Sequence, residues 1–597
     1  MMAFTRGNHG TSAAYDRFYA YDEQPKAFVL RDFAGGVSTK AAEDHALSLA
    51  MNMLPSGNGL SSMAKPIPET VEDGFAEGTV RDHCYADGIW LFRKGRTLYA
   101  YQKETVSLVG TRSMLTAEYG AIYDIGGYFY VIDGEDVWAV GRDLQAVRIE
   151  QHVPVRFVDL MNDGITKTEN EKPNPFCRYI DMIISEDAGN HQSLPTDIVY
   201  DREDIKVYKP DSEEEISLGY WFIVDDSYID FTGISAKGCR IRLKLLDSDD
   251  ETKLSFSSTA HLRALLAESR PLLPYTNEKG TAYFLTWEGR DILLLERADD
   301  MLYRFSEKML TKIPTAESIT AIVAYADGYL LFTEHAVKKL YFGKNEWEEM
   351  IAQTVVFKQD FGSDMPGSVC GFDDKIIFAS SRGGVFYINK FGITERDESR
   401  KVSENVESGT FGFFSHTDEE YRTARGFCAF GRYYLTVGAI TYVWDHGAKL
   451  PTGAQSRDAE ETMVWTLSDA FSGMRFLREI GGRLYLFDEP TETLCYLTDT
   501  SEAAAGMGAS LITSGQDLGV LEKKILTEVA VRYRADAPIS VKLIFDGKES
   551  SAEYRLPRQE NVAAATLRVY AKKFEKVAAK LFCEEGFAVE AVIFRYL

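Results

Sequence analysis

Gly126-Gly127-Tyr128-Phe129-Tyr130-Val131-Ile132, turning at Asp133-Gly134 into Val137-Trp138, is the stretch on which the reading of the fold rests. Gly and Asp supply the positive-φ positions of tight turns, and the aromatic and β-branched residues between them suit a pleated surface, so the stretch reads as a β-hairpin. The same phrase stands upstream as Asp87-Gly88-Ile89-Trp90-Leu91-Phe92, turning at Lys94-Gly95 into Leu98-Tyr99-Ala100-Tyr101. Downstream it returns as Gly280-Thr281-Ala282-Tyr283-Phe284-Leu285 and as Asp327-Gly328-Tyr329-Leu330-Leu331-Phe332, the latter answered by Leu340-Tyr341-Phe342. Three more copies start at Asp374 (Ile376-Ile377-Phe378 with Val385-Phe386-Tyr387), Gly431 (Tyr433-Tyr434-Leu435 with Tyr442-Val443-Trp444) and Gly482 (Leu484-Tyr485-Leu486-Phe487 with Leu494-Cys495-Tyr496). The first two copies start about 39 residues apart and the last five roughly 47 to 57 apart, close to the length of a four-stranded propeller blade. A single blade cannot bury both faces of its sheet. Radial stacking of about seven would do so, with aromatic rings filling the wedges; a long β-sandwich array without closure is the alternative.

The rhythm breaks once. Between the copies at Gly127 and Gly280 lie 153 residues, of which one blade step leaves roughly 110 over. This stretch is acidic (Asp211-Ser212-Glu213-Glu214-Glu215) and has strand-like runs at Tyr220-Trp221-Phe222-Ile223-Val224 and Arg240-Ile241-Arg242-Leu243-Lys244-Leu245-Leu246. It reads as a β-rich domain inserted at a blade loop. From Leu521 the pattern changes to alternation: Ile525, Thr527, Val529, Val531 and Tyr533, then Ile539, Val541, Leu543 and Phe545 ending at Asp546-Gly547, then Leu567 to Tyr570 and Phe587 to Phe594. Strands of that kind predict a small sandwich with one polar face. The first 70 residues fit no blade. Phe28 to Phe33 reads as a strand, and Ala41 to Met53 as a helix on the spacing of Ala46, Leu47, Leu49, Ala50 and Met53, stopped by the breakers from Asn52 to Gly59. The expected fold class is therefore all-β. The expected order is an N-terminal strap with a short helix (1–75), first propeller blades (76–150), the inserted domain (151–262), remaining blades (263–515) and a C-terminal β-sandwich (516–597).

Composition narrows the function. Hydrophobic residues make up 45% and aromatics 12% of the 597 residues, with 35 Phe and 32 Tyr against 17 Pro, enough for a large strand-rich core. No run of about 18 apolar residues is present, so no membrane segment is expected, and Met1 to Tyr21 lacks the basic-then-apolar order of an export signal. Seven scattered cysteines (Cys84, Cys177, Cys239, Cys370, Cys428, Cys495 and Cys583) with no CxxC fit reduced thiols in a chain made in a cytoplasm. The net charge of −25 argues against a surface that grips DNA or anionic lipid. It is uneven: from Leu521 on, 14 Lys and Arg stand against 11 Asp and Glu, about +3, which leaves about −28 for the rest.

The strap carries a resemblance. Asp32-Phe33-Ala34-Gly35-Gly36-Val37-Ser38-Thr39-Lys40, a short helical stretch, then Asn52 through Gly59-Leu60, resembles the N-terminal strap of tailed-bacteriophage β-propeller virion proteins. Members open on a "DFxGGLNTK"-like segment and lead through an "N-hydrophobic" stretch to "G-L-x-x-R-P-G". Here Ser38 stands where Asn is usual, and Ser61-Ser62-Met63-Ala64-Lys65-Pro66 replaces the basic end. The opening of the C-terminal segment, Leu521-Glu522-Lys523-Lys524-Ile525, and its aromatic-rich last strand are similar too. Together these ends cover about a quarter of the chain. The resemblance implies a structural part of the virion at the head-to-tail neck or tail, of the tail-completion or packaged-DNA stabilisation type, made in the host cytoplasm. It implies a ring of copies, docking to portal, connector or tail proteins, and proximity to packaged DNA, which an acidic ring would let slide. It implies no site residues.

Signatures of chemistry are absent from the sequence. The nine histidines, His9, His45, His83, His152, His191, His261, His335, His416 and His446, show no HxH or HExxH pairing. Asp247-Ser248-Asp249-Asp250-Glu251 resembles a calcium loop but lacks Gly at the sixth and Glu at the twelfth position. Gly506-Met507-Gly508 and Gly383-Gly384 lack the setting of a phosphate cradle, no G-x-S-x-G elbow occurs, and sialidase-type Ser-x-Asp-x-Gly-x-Thr-Trp turns are missing. The carboxylate pairs Asp225-Asp226, Asp299-Asp300 and Asp373-Asp374 sit at expected turns, where Asp serves backbone geometry. No catalytic, cofactor-binding or metal residues are assigned, and no enzyme is expected. The alternative is a carbohydrate-binding or carbohydrate-active propeller used in host recognition, in which Trp and Tyr would stack on sugar faces.

Overall fold

A computed structural model describes residues 25–31, 33, 36–38, 47–57, 59–158, 173–185, 189–250, 252–268, 270–296, 310–326, 328–344, 350–372, 375–389, 400–446, 464–499, 506–520, 522–569 and 573–597. The chain is all-β and its strands form many separate sheets. Among the described residues the two α-helices, Ala260–Ala267 and Asp418–Arg422, are short.

The repeated phrase forms hairpins. Ile89–Lys94 pairs antiparallel with Thr97–Gln102, setting Trp90 opposite Tyr101 and Phe92 opposite Tyr99. The turn before it places Asp87 and Gly88 at φ of 50° and 78°, the mirror-image turn whose twist matches that of the strands it joins. In the groups 80–109, 121–148, 273–314, 319–359 and 370–401, four strands lie side by side in chain order. Two further groups depart from that plan. Strands 425–468 run in order but continue into a larger sheet, whereas the three strands of 474–498 take their fourth, Ile67–Pro68, from the N-terminal segment. There Cys495 faces Pro68 and Tyr496 faces Ile67.

The chain forms two compact units, Met1–Glu69 with Tyr325–Lys339 and Thr354–Leu597, and Thr70–Ala324 with Leu340–Gln353. In the second unit, Leu91, Leu98 and Ala100 of one four-stranded sheet pack on Phe129 and Val131 of the next. A buried ionic node sits beside that core. Arg93 lies 3.7 Å from Asp82 and 3.8 Å from Asp133, and donates to the Ile132 carbonyl at 2.9 Å. Asp133 also accepts from the Thr116 and Ala117 amides at 2.7 Å, and Asp82 from the Gly120 amide at 2.7 Å. Each buried charge thus has partners, without which its desolvation would cost several kcal/mol (about 3–5 when one partner is removed).

Residues 155–256 carry their own core. One sheet joins Val155–Val158, Tyr179–Ile184, Arg240–Lys244 and Lys206–Tyr208, and a second joins His191–Ser193, Tyr228–Phe231 and Trp221–Val224. Ile180, Val207, Trp221, Ile229, Ile241 and Leu243 are buried between them. The Trp221 indole N–H donates to the Ile216 carbonyl at 2.9 Å, so the ring is buried without an unmet donor. Helix Ala260–Ala267 follows and buries Leu262, Leu265 and Leu266 against Ile132 and Leu293 of the flanking sheets.

In the first unit, ring pairs link successive sheets: Phe332 with Phe378 (5.2 Å between centroids), Tyr387 with Trp444 (5.9 Å) and Phe427 with Phe476 (5.9 Å). Strands from residues 26–62 meet the C-terminal strands there. The strand Phe587–Tyr596 lies between Lys524–Ala535 on one side and, on the other, Lys26–Arg31 and Gly59–Ser62. A nine-stranded sheet runs from the 425–468 strands through Leu47–Met51 to Ala509–Thr513, Val577–Cys583, Ile539–Phe545 and Lys548–Leu556. One continuous core, with Leu30, Leu47, Leu60, Val531, Val541, Leu581 and Phe594, lies between the two sheets.

The helix expected from Ala41 to Met53 requires correction. Residues 41–46 lie outside the described ones, and Leu47–Met51 and Met53–Ser56 are strands. Leu47–Met51 pairs parallel with Trp465–Ser468 and antiparallel with Ala509–Thr513, with a bulge between Leu47 and Leu49. Its Ala, Leu and Met residues are good helix formers, but propensity is a small term, and pairing with strands on both sides overrides it.

Candidate functional site

The strap is built around three residues whose identities its geometry requires. Gly36 takes φ of +69°, and a Cβ there would sit 2.5 Å from the Trp465 carbonyl oxygen. The same approach lets the Val37 amide donate to that carbonyl at 2.8 Å. Gly59 meets Val589 still more closely, since a Cβ would fall 2.0 Å from its carbonyl oxygen. Only glycine allows both crossings.

Asn52 is the third. It is buried and takes φ of 58°, a left-handed conformation that Asn tolerates better than most residues. Its side-chain amide donates to Asp469 Oδ1 and to the Gly508 carbonyl, both at 2.8 Å, and its Oδ1 accepts from the Ser468 hydroxyl at 2.7 Å and the Asp469 amide at 3.2 Å. One side chain thus ties the strap to two other strands. Downstream, the Ser62 hydroxyl donates to the Phe587 carbonyl at 3.0 Å and accepts from its amide at 2.7 Å. Gly36, Asn52 and Gly59 belong to the motif singled out in the sequence, and each acts in anchoring. Asp32, Gly35 and Lys40 of that motif lie outside the described residues.

A cavity of about 880 Å³ opens in the same unit, lined by Ser38, Ser48, Phe411, Ser514, Asp546 and Lys576 among others. Its polar groups already serve the fold. The Ser48 hydroxyl donates to the Thr513 carbonyl at 2.8 Å, that of Ser514 accepts from Gln516 at 2.7 Å, and Asp546 accepts from the Glu575 and Lys576 amides at 2.9 and 2.8 Å.

The nearest approach to a catalytic chain is Glu420, His416 and Tyr442, which the sequence reading did not single out. His416 Nε2 lies 2.8 Å from the Tyr442 hydroxyl, which donates to the Phe411 carbonyl at 2.9 Å, and His416 Nδ1 lies 3.5 Å from Glu420. Because the Tyr442 proton goes to a carbonyl, His416 donates from Nε2 to the Tyr442 hydroxyl. Burial lowers the His416 pKa, and the Thr417 amide and hydroxyl hold the Glu420 carboxylate below its usual range. The chain ends on a main-chain oxygen, so it pins the 411–421 loop. Its sequence signal was the capping box Thr417-Asp418-Glu419-Glu420, which the structure forms in full.

Other groups weighed in the sequence are dispersed. Among the described residues no three His, Cys, Asp or Glu side chains gather to hold a metal ion. His191 pairs with Asp230 and stacks on Tyr228 at 4.4 Å, whereas His261 lies 2.7 Å from Glu288. All seven cysteines are free, and burial pushes the Cys84, Cys177 and Cys495 thiols up to about 11, far from reactive. In the calcium-like stretch, Asp250 accepts from the Thr252 amide at 3.0 Å and Asp247 from the Ser257 hydroxyl at 3.2 Å, the pattern of a local turn. Asp225 and Asp226 take φ of 48° and 55° in the turn between Trp221–Val224 and Tyr228–Phe231. Asp299, Asp300, Asp373 and Asp374 lie outside the described residues.

One aromatic face is open. Tyr220, Phe222 and Tyr228 are 52%, 49% and 37% exposed on the second sheet of the 155–256 domain, beside His191 and Asp230. By contrast Trp90, Trp221, Trp444 and Trp465 are buried.

No protein-family model and no curated protein matches the chain. Among solved structures it is similar to the computationally designed Ika8 protein, at 8% identity and a TM-score of 0.31 over 73% of this chain and 100% of that one. It is also similar to the extracellular domain of BT4673 from B. thetaiotaomicron, at 10% identity and a TM-score of 0.18 over 90% of this chain and 91% of that one. Likenesses at these scores carry no argument about fold or function.

Proposed function

We propose that this chain is a non-enzymatic structural component of a bacteriophage virion, at the head-to-tail neck or tail, forming a ring of copies that docks to portal, connector or tail proteins. In this reading the four-stranded groups are the blades of a seven-bladed propeller, and Ile67–Pro68 completes the last blade with strands 474–498, a closure that ties the start of the ring to its end. The observation that carries the reading is the strap. Gly36, Asn52 and Gly59, residues of the segment that resembles phage straps, occupy positions that only those residue types fill easily. An acidic chain also suits proximity to packaged DNA without adhesion. Mass spectrometry and cryo-microscopy of purified particles test it. The protein should be present in stoichiometric, symmetric copies; its absence from assembled particles would refute the assignment.

The open aromatic face supports a second reading, a carbohydrate-binding module for host recognition. Tyr220, Phe222 and Tyr228 offer flat rings beside the hydrogen-bonding Asp230 and His191. A glycan screen comparing the native chain with Tyr228→Ala and Phe222→Ala decides it, and equal signals from all three would end this reading.

A further inference from the structure

The sheet that holds both chain ends stops at the strand Gln559–Arg568, which pairs on one side with Lys524–Ala535 and has no strand on its other side among the described residues. Exposed edges usually carry charges that discourage pairing. The edge strand of the neighbouring sheet, Lys548–Leu556, does so with Lys548, Glu549, Glu553 and Arg555. Gln559–Arg568 does not. From Asn561 to Leu567 it reads Asn-Val-Ala-Ala-Ala-Thr-Leu, without a charge, and Val562 to Ala564 and Thr566 are exposed. Its charges stand only near the ends, Glu560 and Arg568.

Those two charges complete a pattern. Across the sheet, Arg595 lies opposite Glu528 and bonds it at 2.9 Å, and Glu528 lies opposite Arg568. The row thus alternates positive, negative, positive and ends at the free edge. An antiparallel copy of the same strand, centred on Ala564, would set its Glu560 opposite Arg568 and extend the alternation by one step. In that register Val562 faces Thr566, Ala563 faces Ala565, and Ala564 faces its own counterpart. The ladder is irregular between Tyr533 and Ala535, where residues 560–562 of the edge strand, two more than their partner strand supplies, stand outside the pairing.

We propose that Gln559–Arg568 is a self-complementary edge through which two copies of this chain join antiparallel about a two-fold axis at Ala564, making one sheet continuous across both. The inference goes beyond the virion reading and does not depend on it. An isologous contact joins two copies and closes no ring by itself, so a ring would use a second, different surface. One strand per partner is a small contact, so the dimer should form and dissociate with concentration.

Sedimentation of the full chain from about 1 to about 100 µM should show monomer giving way to dimer. Ala564→Lys, which brings two ammonium groups together on the axis, should weaken association by about a hundredfold, and Glu560→Arg, which faces Arg568, by about tenfold. Combining Glu560→Arg with Arg568→Glu should return the affinity to within about threefold of native. Far-UV circular dichroism identifies any variant that has not folded. Because Glu560 lies at the exposed end of the strand, its charge-swap pair remains decisive if Ala564→Lys fails. A native chain monomeric throughout, association indifferent to folded Ala564→Lys, or a double variant as weak as Glu560→Arg alone would each overturn the proposal.

Discussion

Residues 155–256 and the paired sheets formed by the N- and C-terminal segments each pack two sheets around one core, yet they are assembled in opposite ways. The first gathers its core from within about 80 consecutive residues, Ile180 to Phe256. The second joins residues 26–62 to residues 509–597, so that Leu60 packs with Val589 and Leu30 with Val592 across most of the chain. Local strands find one another at small loop-closure cost, whereas remote ones need specific anchors to fix their register. That is why Gly36, Asn52 and Gly59 are exacting positions.

Deleting residues 47–62 tests the contrast most severely. It removes a strand from the middle of the nine-stranded sheet and should abolish cooperative unfolding of the terminal sheets in calorimetry, whereas residues 151–258 expressed alone should unfold cooperatively. Next, Trp221→Ala should cost about 4 kcal/mol, confined to the 155–256 domain, and should lower only the transition reported by that segment's hydrogen exchange. Gly59→Ala, forced against a main-chain carbonyl, should cost the terminal sheets about 3 kcal/mol in denaturant titration. Asn52→Ala should cost about as much, and Asn52→Gly about 1 kcal/mol less, because glycine keeps the left-handed backbone while losing the same hydrogen bonds.

The smallest expected effect concerns pH. The folded pKa of His416 is lowered by burial, so in acid the unfolded chain takes up the proton more readily. Stability from this group is intact above the ordinary histidine pKa of about 6.5 and falls as pH drops below it, levelling off under the folded value. His416→Gln should flatten that decline between pH 7 and 5 in urea titrations.

What was legible in the sequence follows the same division. Hairpins such as Ile89–Lys94 with Thr97–Gln102, and Arg432–Val437 with Ile440–Asp445, could be read because turn and strands lie within about 15 residues. Alternation likewise marked Lys524–Ala535 and Ile539–Phe545. The strap could not be read this way. Nothing near Leu47 says that Met51 will pair parallel with Leu467, and the local spacing pointed to a helix. The strand that completes the 474–498 group is two residues long and carries no signal of its own. Glu420, His416 and Tyr442 went unseen because the contact depends on a chain reversal between positions 421 and 442. The open edge at Gln559–Arg568 was hidden for another reason: sequence shows a strand, but not which side of it lacks a neighbour.

The interlocking of the two ends also sets a timetable. Residues 26–62 leave the ribosome long before residues 524–596, on the order of a minute earlier at ordinary elongation rates. During that interval Leu47–Met51 and Gly59–Ser62 have none of their C-terminal partners. The newborn chain therefore carries unmatched strand edges through most of its own synthesis, the kind of exposed surface that chaperones cover.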